Sequence, residues 1–376
     1  MKRFSIFCLP AVVMAGALLL ASCGKDNSTP APAPTPEPAV PVDLSAKGTA
    51  NCYIVSAPGT YSFKTVQGNS NDAVVAAKAE VLWESFGTET KPEVGDIIKS
   101  VSYADSRITF TTPSTLKNGN ALIAAKDADG NILWSWHIWV CEGYDPVAQG
   151  QVYNSDAGTM MDRNLGATSA EPGKVQTLGL MYQWGRKDPF LGSSSISSPT
   201  KALSTITWPG AVLSDADKGT VDYAIQNPTT FICGVDASTN DWVFAARNAN
   251  LWKAEKTKYD PCPYGWKVPS GGASGVWSKS IGSSNFFKDY PFDSANRGMN
   301  FSSKLGSALI IWYPAAACLK YNDGSFGEVG SSGSWWSCSY YYGSANLFGI
   351  ERADGYVYPS GSGYLAYGYS VRCLQE

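Results

Sequence analysis

The sequence predicts a β-rich protein of the α+β class, with a β-sandwich followed by a larger mixed domain. Short runs that alternate apolar and polar residues recur along the chain, bounded by Pro, Gly, Asn or Asp. The 376 residues include 37 Gly, 20 Tyr and 13 Trp, a composition suited to pleated strands joined by tight turns. With 44% hydrophobic and only 16% charged residues there is ample apolar material for a core, and the length suits two domains.

The N-terminus reads as an export signal. Lys2 and Arg3 precede an almost wholly apolar stretch from Ile6 to Ala21, and Leu20-Ala21-Ser22 forms a lipobox before Cys23. Residues 1–22 are therefore expected to be a lipoprotein signal peptide, with Cys23 carrying the lipid. A membrane-spanning helix fits less well, because the stretch is shorter than the roughly 20 residues a bilayer requires and contains Pro10. Acyl chains contribute about 0.8 kcal/mol per buried methylene, so outer-membrane lipid is the expected partner of an acylated Cys23. Residues 23–48 form a tether. Within it Ser28 to Pro41 reads STPAPAPTPEPAVP, a pattern that favours extended polyproline conformations at about 3.1 Å per residue.

Residues 49–143 predict an Ig-like β-sandwich. Strand-like runs occur at Cys52 to Val55, Thr60 to Val66, Ala79 to Phe86, Ile97 to Tyr103 and Arg107 to Thr111. The clearest hairpin joins Ala121–Lys126 to Ile132–Val140 through Asp127-Ala128-Asp129-Gly130-Asn131, where Asp-Gly supplies the positive φ of a tight turn. In its second strand Trp134, Trp136, Ile138 and Val140 share one parity, and Leu133, Ser135, His137 and Trp139 the other, so both faces are expected to be covered. The alternating carboxylates of the turn resemble the start of a calcium loop, but the spacing and the distal Glu are missing, and a plain turn is the stronger reading. His137 is the only histidine, which excludes a histidine-rich zinc site and favours a packed strand residue over a catalytic base.

Residues 144–376 form the second domain. It opens with Val152-Tyr153 and Met161-Asp162-Arg163-Asn164-Leu165-Gly166-Ala167. Thr177 to Lys187, TLGLMYQWGRK, is expected to be a short helix stopped by Asp188-Pro189. A Ser-rich loop follows. The prolines of Tyr259-Asp260-Pro261-Cys262-Pro263-Tyr264-Gly265-Trp266-Lys267-Val268-Pro269 fix a rigid turn, and short strands then alternate with turns up to Ser370-Val371-Arg372-Cys373.

DRNLGA, YQWGRKDPF, YDPCPYGWKVP, Trp335-Trp336-Ser337 and the closing SVRC resemble, in order, the Fibrobacter succinogenes major paralogous domain, found on surface lipoproteins of the Bacteroidota. The upstream NCYIVSAPGTYSF and NGNALIAAKDADGNILWSWHIW resemble the β-domain that often precedes it. The resemblance implies a C-type-lectin-like α+β fold over 144–376, in proteins that include adhesins and fimbrial tip subunits, and it implies no catalytic residues. It also implies a bond between Cys262 and Cys373. Seven cysteines follow Cys23, an odd number, and disulfides persist outside the cytoplasm. Cys318 and Cys338 flank the Asn322-Asp323-Gly324 turn on neighbouring runs and are a second candidate pair; Cys52 with Cys141 is a third. Cys233 reads as a small buried hydrophobe or a free thiol.

The formal charge of −3 offers no basic face, so nucleic acid is not expected as a partner. Calcium-dependent sugar motifs are absent, Gln226-Asn227-Pro228 and Tyr321-Asn322-Asp323 being poor matches. A ligand surface is instead sought among aromatic side chains: Trp335, Trp336, Tyr340, Tyr341, Tyr342, Tyr356, Tyr358 and Tyr364. Tyr367, Tyr369, Val371 and Cys373 share strand parity and are expected to face the core. No base accompanies a hydrolase nucleophile, no metal or cofactor site is expected, and Asp323, Glu328, Glu351 and Asp354 are the only carboxylates worth weighing for a glycosidase. The expected function is adhesion, or a tip or accessory role in a fimbrium, with fimbrial subunits, glycans or proteins as partners. Glycan binding for polysaccharide uptake is the alternative. Gly24-Lys25-Asp26-Asn27 is not a strongly acidic export tag, so cell-surface exposure rests on the tether and the resemblance.

Overall fold

The computed structural model describes residues 40–234, 240–244 and 248–376; the predicted signal peptide, Cys23 and the Pro/Ala-rich run to Ala39 lie outside the described residues. The described chain is β-rich. Its helical segments are Val221–Gln226, Val276–Ile281 and the 3-10 turns Val175–Thr177 and Ala353–Gly355.

Residues 42–140 supply eight strands: β1 (Val42–Asp43), β2 (Cys52–Val55), β3 (Thr60–Lys64), β4 (Lys78–Ser85), β5 (Ser100–Ala104), β6 (Arg107–Thr111), β7 (Gly119–Lys126) and β8 (Ile132–Val140). They form two four-stranded sheets, ordered β1-β3-β6-β5 and β2-β8-β7-β4. Both sheets feed one core: Tyr53, Phe63, Phe110, Ile123, Trp134, Trp136 and Ile138 pack together. This is a sandwich, with β2, β6 and β8 at the bounds expected from their alternation. The alternation in β8 also resolves as expected, because Trp134, Trp136, Ile138 and Val140 enter this core while Trp139 enters a second one. The β7–β8 turn is closed by Asp127, whose Oδ1 accepts from the Asn131 backbone N–H at 2.8 Å, and Gly130 takes φ 92°. The end of the expected tether is folded: Val42 and Asp43 pair in parallel with Tyr61 and Ser62.

The later residues are organised by a sheet ordered Phe326–Gly327, Cys318–Leu319, Gly368–Ser370, Ser332–Tyr341, Ser344–Glu351, Tyr356–Tyr364, with Met181–Gln183 added onto Gly368–Ser370. That last pairing corrects the helix expected over 177–187. Gly179 and Gly185 both take left-handed φ (70° and 84°), and Met181, Tyr182 and Gln183 pair with Ser370, Tyr369 and Gly368. Residues 180–188 are buried on every side, so no solvent face remains for an amphipathic helix to present.

No strand of residues 40–140 pairs with a later one among the described residues, yet the core does not stop at the expected boundary near 143. Cys52, Trp83, Leu122 and Trp139 share a hydrophobic cluster with Leu180, Tyr182, Trp184, Trp252 and Trp336. A buried ion pair also joins the two parts: Lys187 Nζ lies 2.6 Å from Asp188 Oδ1 and donates to Ser135 Oγ and O of β8, above the Trp134 ring.

Cys262 is bonded to Cys373, as the resemblance implied. The other two expected pairs are not formed; Cys52, Cys141, Cys318 and Cys338 are free, as is buried Cys233. Register explains both. Cys52 stands opposite His137 and Val55 opposite Val140, so Cys141 lies about four residues, or about 13 Å, further along the ladder. Cys318 and Cys338 sit on strands separated by Gly368–Ser370, about two interstrand spacings or 9–10 Å apart, whereas a disulfide needs Cα atoms within about 7 Å.

Candidate functional site

Strands Ser332–Tyr341, Ser344–Glu351 and Tyr356–Tyr364 have two unlike faces. Trp335, Phe348, Ile350 and Val357 point one way, into a core with Trp277, Met299 and Tyr313. On the other side, rows run across the strands in register: Ser334–Gly349–Tyr358, Ser332–Glu351–Tyr356 and Trp336–Leu347–Gly361. Trp336 and Leu347 are covered, the indole lying 4.6 Å from the Tyr369 ring, but the other two rows open outward.

A cleft of about 540 Å³ lies on this face. Tyr358 stands at one side, Tyr367, Tyr369 and Cys318 at the other, with Leu347 and Gly349 between and Glu328, Glu351, Ser332, Ser334, Ser360 and Ser362 supplying polar groups. The volume falls inside the roughly 300–1,000 Å³ of small-molecule sites. Glycine keeps it open: a Cβ at Gly361 would come 2.9 Å from Leu347 Cδ1, and one at Gly349 would touch both Leu347 and Tyr358 at 3.4 Å.

Its polar groups form two small networks. Ser332 Oγ donates to Glu328 Oε2 at 2.7 Å, and Tyr358 OH donates to Glu351 Oε2 at 3.4 Å. Partial burial, then the Glu351 carboxylate, holds the Tyr358 phenol above its usual pKa; burial, then Cys318, does the same for Tyr367. Burial followed by the Glu328 charge pushes the Cys318 thiol up to about 11. At neutral pH the cleft thus presents neutral phenol and thiol groups.

The eight aromatic residues singled out in the sequence do not form one surface. Trp335 and Trp336 are fully buried, and this corrects their expected role: Trp335 Nε1 donates to Asn164 Oδ1 at 2.7 Å and Trp336 Nε1 to the Tyr182 carbonyl at 2.8 Å. Bulky indoles two strands deep in a sheet with cores on both sides serve packing. Tyr340 is half-buried against Trp184. Tyr341 and Tyr342 are exposed at a hairpin tip, where Tyr342 (φ 44°) and Gly343 (φ 84°) make a two-residue turn of type I′. Tyr356 and Tyr358 stack at 5.9 Å, joined by exposed Phe286 at 5.9 and 6.0 Å. Tyr364 lies nearly parallel to Tyr367 on the opposite side.

The sequence reading missed Phe286 and the serines, and placed Tyr367 wholly in the core. The alternation Tyr356-Val357-Tyr358 was the available signal, since it puts both tyrosines on the face that the buried Val357 does not use. Of the four carboxylates considered, Glu328 and Glu351 line the cleft, whereas Asp323 accepts from the Ser325 amide in a turn and Asp354 is exposed. His137 is packed as expected: it is fully buried, Nε2 lies 2.8 Å from Asn120 Oδ1, and burial lowers its pKa to about 3. Among the described residues no group of three or more His, Cys, Asp or Glu is placed to hold a metal ion, and no helix is long and apolar enough to cross a membrane. Comparison of the chain with protein-family models, with curated proteins and with solved structures finds no match.

Proposed function

We propose that this protein is a non-catalytic, surface-exposed outer-membrane lipoprotein that acts in adhesion, free-standing or as a tip or accessory subunit of a fimbrium, and that it grips carbohydrate in the sheet-face cleft. An Ig-like sandwich carrying a C-type-lectin-like part is the architecture that goes with this reading. The observation that carries it is the composition of the cleft. Tyrosine rings can stack on the apolar faces of pyranose rings, and serine hydroxyls and carboxylates on either side can bond sugar hydroxyls. Glu328 is exposed and lacks the enclosed apolar setting that a general acid needs, which favours binding over hydrolysis. The same cleft would serve a glycan-binding protein of a polysaccharide-uptake system, where the ligand is nutrient rather than host or microbial surface.

The test is a glycan array probed with the purified full-length protein and two variants. Tyr358→Ala is expected to lose the captured glycans while melting at the wild-type temperature, and Tyr342→Ala, at the hairpin tip, to keep them. Loss in Tyr342→Ala with retention in Tyr358→Ala moves the site to the tip and refutes the cleft. The anchor is tested separately: metabolic labelling with palmitate is expected to mark the wild type and not Cys23→Ala, and equal labelling of both would remove Cys23 from the account.

A further inference from the structure

We infer that the cleft discriminates by charge, taking neutral or amine-bearing oligosaccharides and rejecting acidic ones. The inference rests on the carbohydrate reading above and adds the class of sugar. Two carboxylates, Glu328 and Glu351, line the cleft, and none of the residues lining it is Lys or Arg. Lys320 is exposed and does not line the cleft; its side chain lies beside Cys318 Sγ at Gly327, on the outer flank of the cleft wall. The remaining polar groups are hydroxyls, which are indifferent to ligand charge.

Both carboxylates already accept one hydroxyl donor each, from Ser332 and Tyr358. An ionised carboxylate accepts at about four lone-pair sites, so each retains capacity for sugar hydroxyls or an ammonium group. A uronic acid, sulfated sugar or sialic acid brings a like charge to the same place, where no lining residue is a cation that could receive it. Two unit charges about 5 Å apart at a protein surface repel enough to weaken binding by about tenfold or more. An amine gains by a similar factor from the same field. The stacked Tyr356–Tyr358 pair with Phe286 continues the aromatic surface beyond Glu351, which favours a chain of several sugars over a single terminal residue.

The experiment uses an array carrying neutral, amine-bearing and acidic oligosaccharides, followed by titration of the best ligand and its acidic counterpart into wild type and the double variant E328Q/E351Q. Glutamine keeps the shape and one acceptor oxygen for the Ser332 or Tyr358 hydroxyl while removing the charge. Wild type is expected to bind neutral and amino-sugar chains, with the acidic counterpart at least tenfold weaker; the double variant is expected to narrow that gap to threefold or less. Capture confined to acidic chains, or an unchanged gap in the double variant, overturns the charge selectivity but leaves carbohydrate binding standing. Capture of no glycan of any class overturns both. A melting curve matching wild type shows that the double variant is folded.

Discussion

Breaking the Cys262–Cys373 bond by Cys→Ser at both positions should remove a large share of the stability of this fold. The bond closes a loop of 111 residues. In the chain-entropy treatment that loop restricts the unfolded ensemble by about 16 cal/mol/K, or about 5 kcal/mol at 25 °C. Few domains have more than about 5–15 kcal/mol in total. The location adds consequence, because the bond fixes the start of the last strand: Leu374 and Gln375 pair with Lys267 and Trp266, and Leu374 also with Met160. Urea unfolding followed by tryptophan fluorescence is the assay. A slope of a few kcal/mol/M converts the loss into a midpoint about 1 M or more lower. The double variant and the reduced wild type should coincide, and non-reducing peptide mapping should recover only this linkage. A stability change below about 1 kcal/mol, or a second linkage among Cys52, Cys141, Cys318 and Cys338, would refute the reasoning.

Three further outcomes follow from buried groups. The His137 pKa near 3 lies below the usual 6.5, so the unfolded chain takes up a proton that the native protein refuses; stability from this residue is complete above about pH 6.5 and falls by about 1.4 kcal/mol per pH unit below it. Urea midpoints at pH 7, 6 and 5 should therefore decline in wild type and decline less in His137→Gln; parallel declines would place the titration elsewhere. Asp188→Asn leaves Lys187 buried against Ser135 without its counter-charge and should cost about 3–5 kcal/mol in the same assay, whereas a cost under about 1 kcal/mol would mean the pair contributes little to holding the fold. Trp336→Ala should cost about 3–5 kcal/mol as a core truncation, while Tyr358→Ala on the outer face should cost under about 1; the reverse order in thermal melts contradicts the burial assigned to the two rings.

The N-terminal sandwich was legible in the sequence because its strands alternate cleanly and its hairpin carries Asp-Gly. Trp134, Trp136, Ile138 and Val140 could be assigned to one face by parity alone. The helix expected over 177–187 was misleading because residues 180–187 are buried on all sides, and a wholly buried run has no period to distinguish strand from helix; the glycines at 179 and 185 were the overlooked signal. Trp335 and Trp336 illustrate the same limit. Adjacent residues in a strand point to opposite faces, which would leave one of the pair outward on a one-sided sheet, but both faces of this sheet are covered at that position, by Phe348 and Tyr313 on one side and Tyr369 on the other. The cleft was out of reach for a different reason. Its rows join Ser334 to Gly349 to Tyr358 through strand register, and its far wall comes from Tyr369 and Cys318 on other strands and from Tyr367 in the bend before one of them, an arrangement that no local pattern specifies. Disulfide choice failed likewise for Cys318 and Cys338, which flank one turn in sequence yet lie a strand apart in the sheet.

The most direct test of the account is tyrosine nitration footprinting of the protein with and without a saturating captured oligosaccharide. Tyr358 and Tyr367 line the cleft, Tyr356 borders it, and Tyr341 and Tyr342 stand exposed at a separate hairpin tip as internal references. The account predicts that ligand protects Tyr358 and Tyr367 while Tyr341 and Tyr342 react at unchanged rates. Protection of Tyr341 and Tyr342 with none at Tyr358 would contradict it.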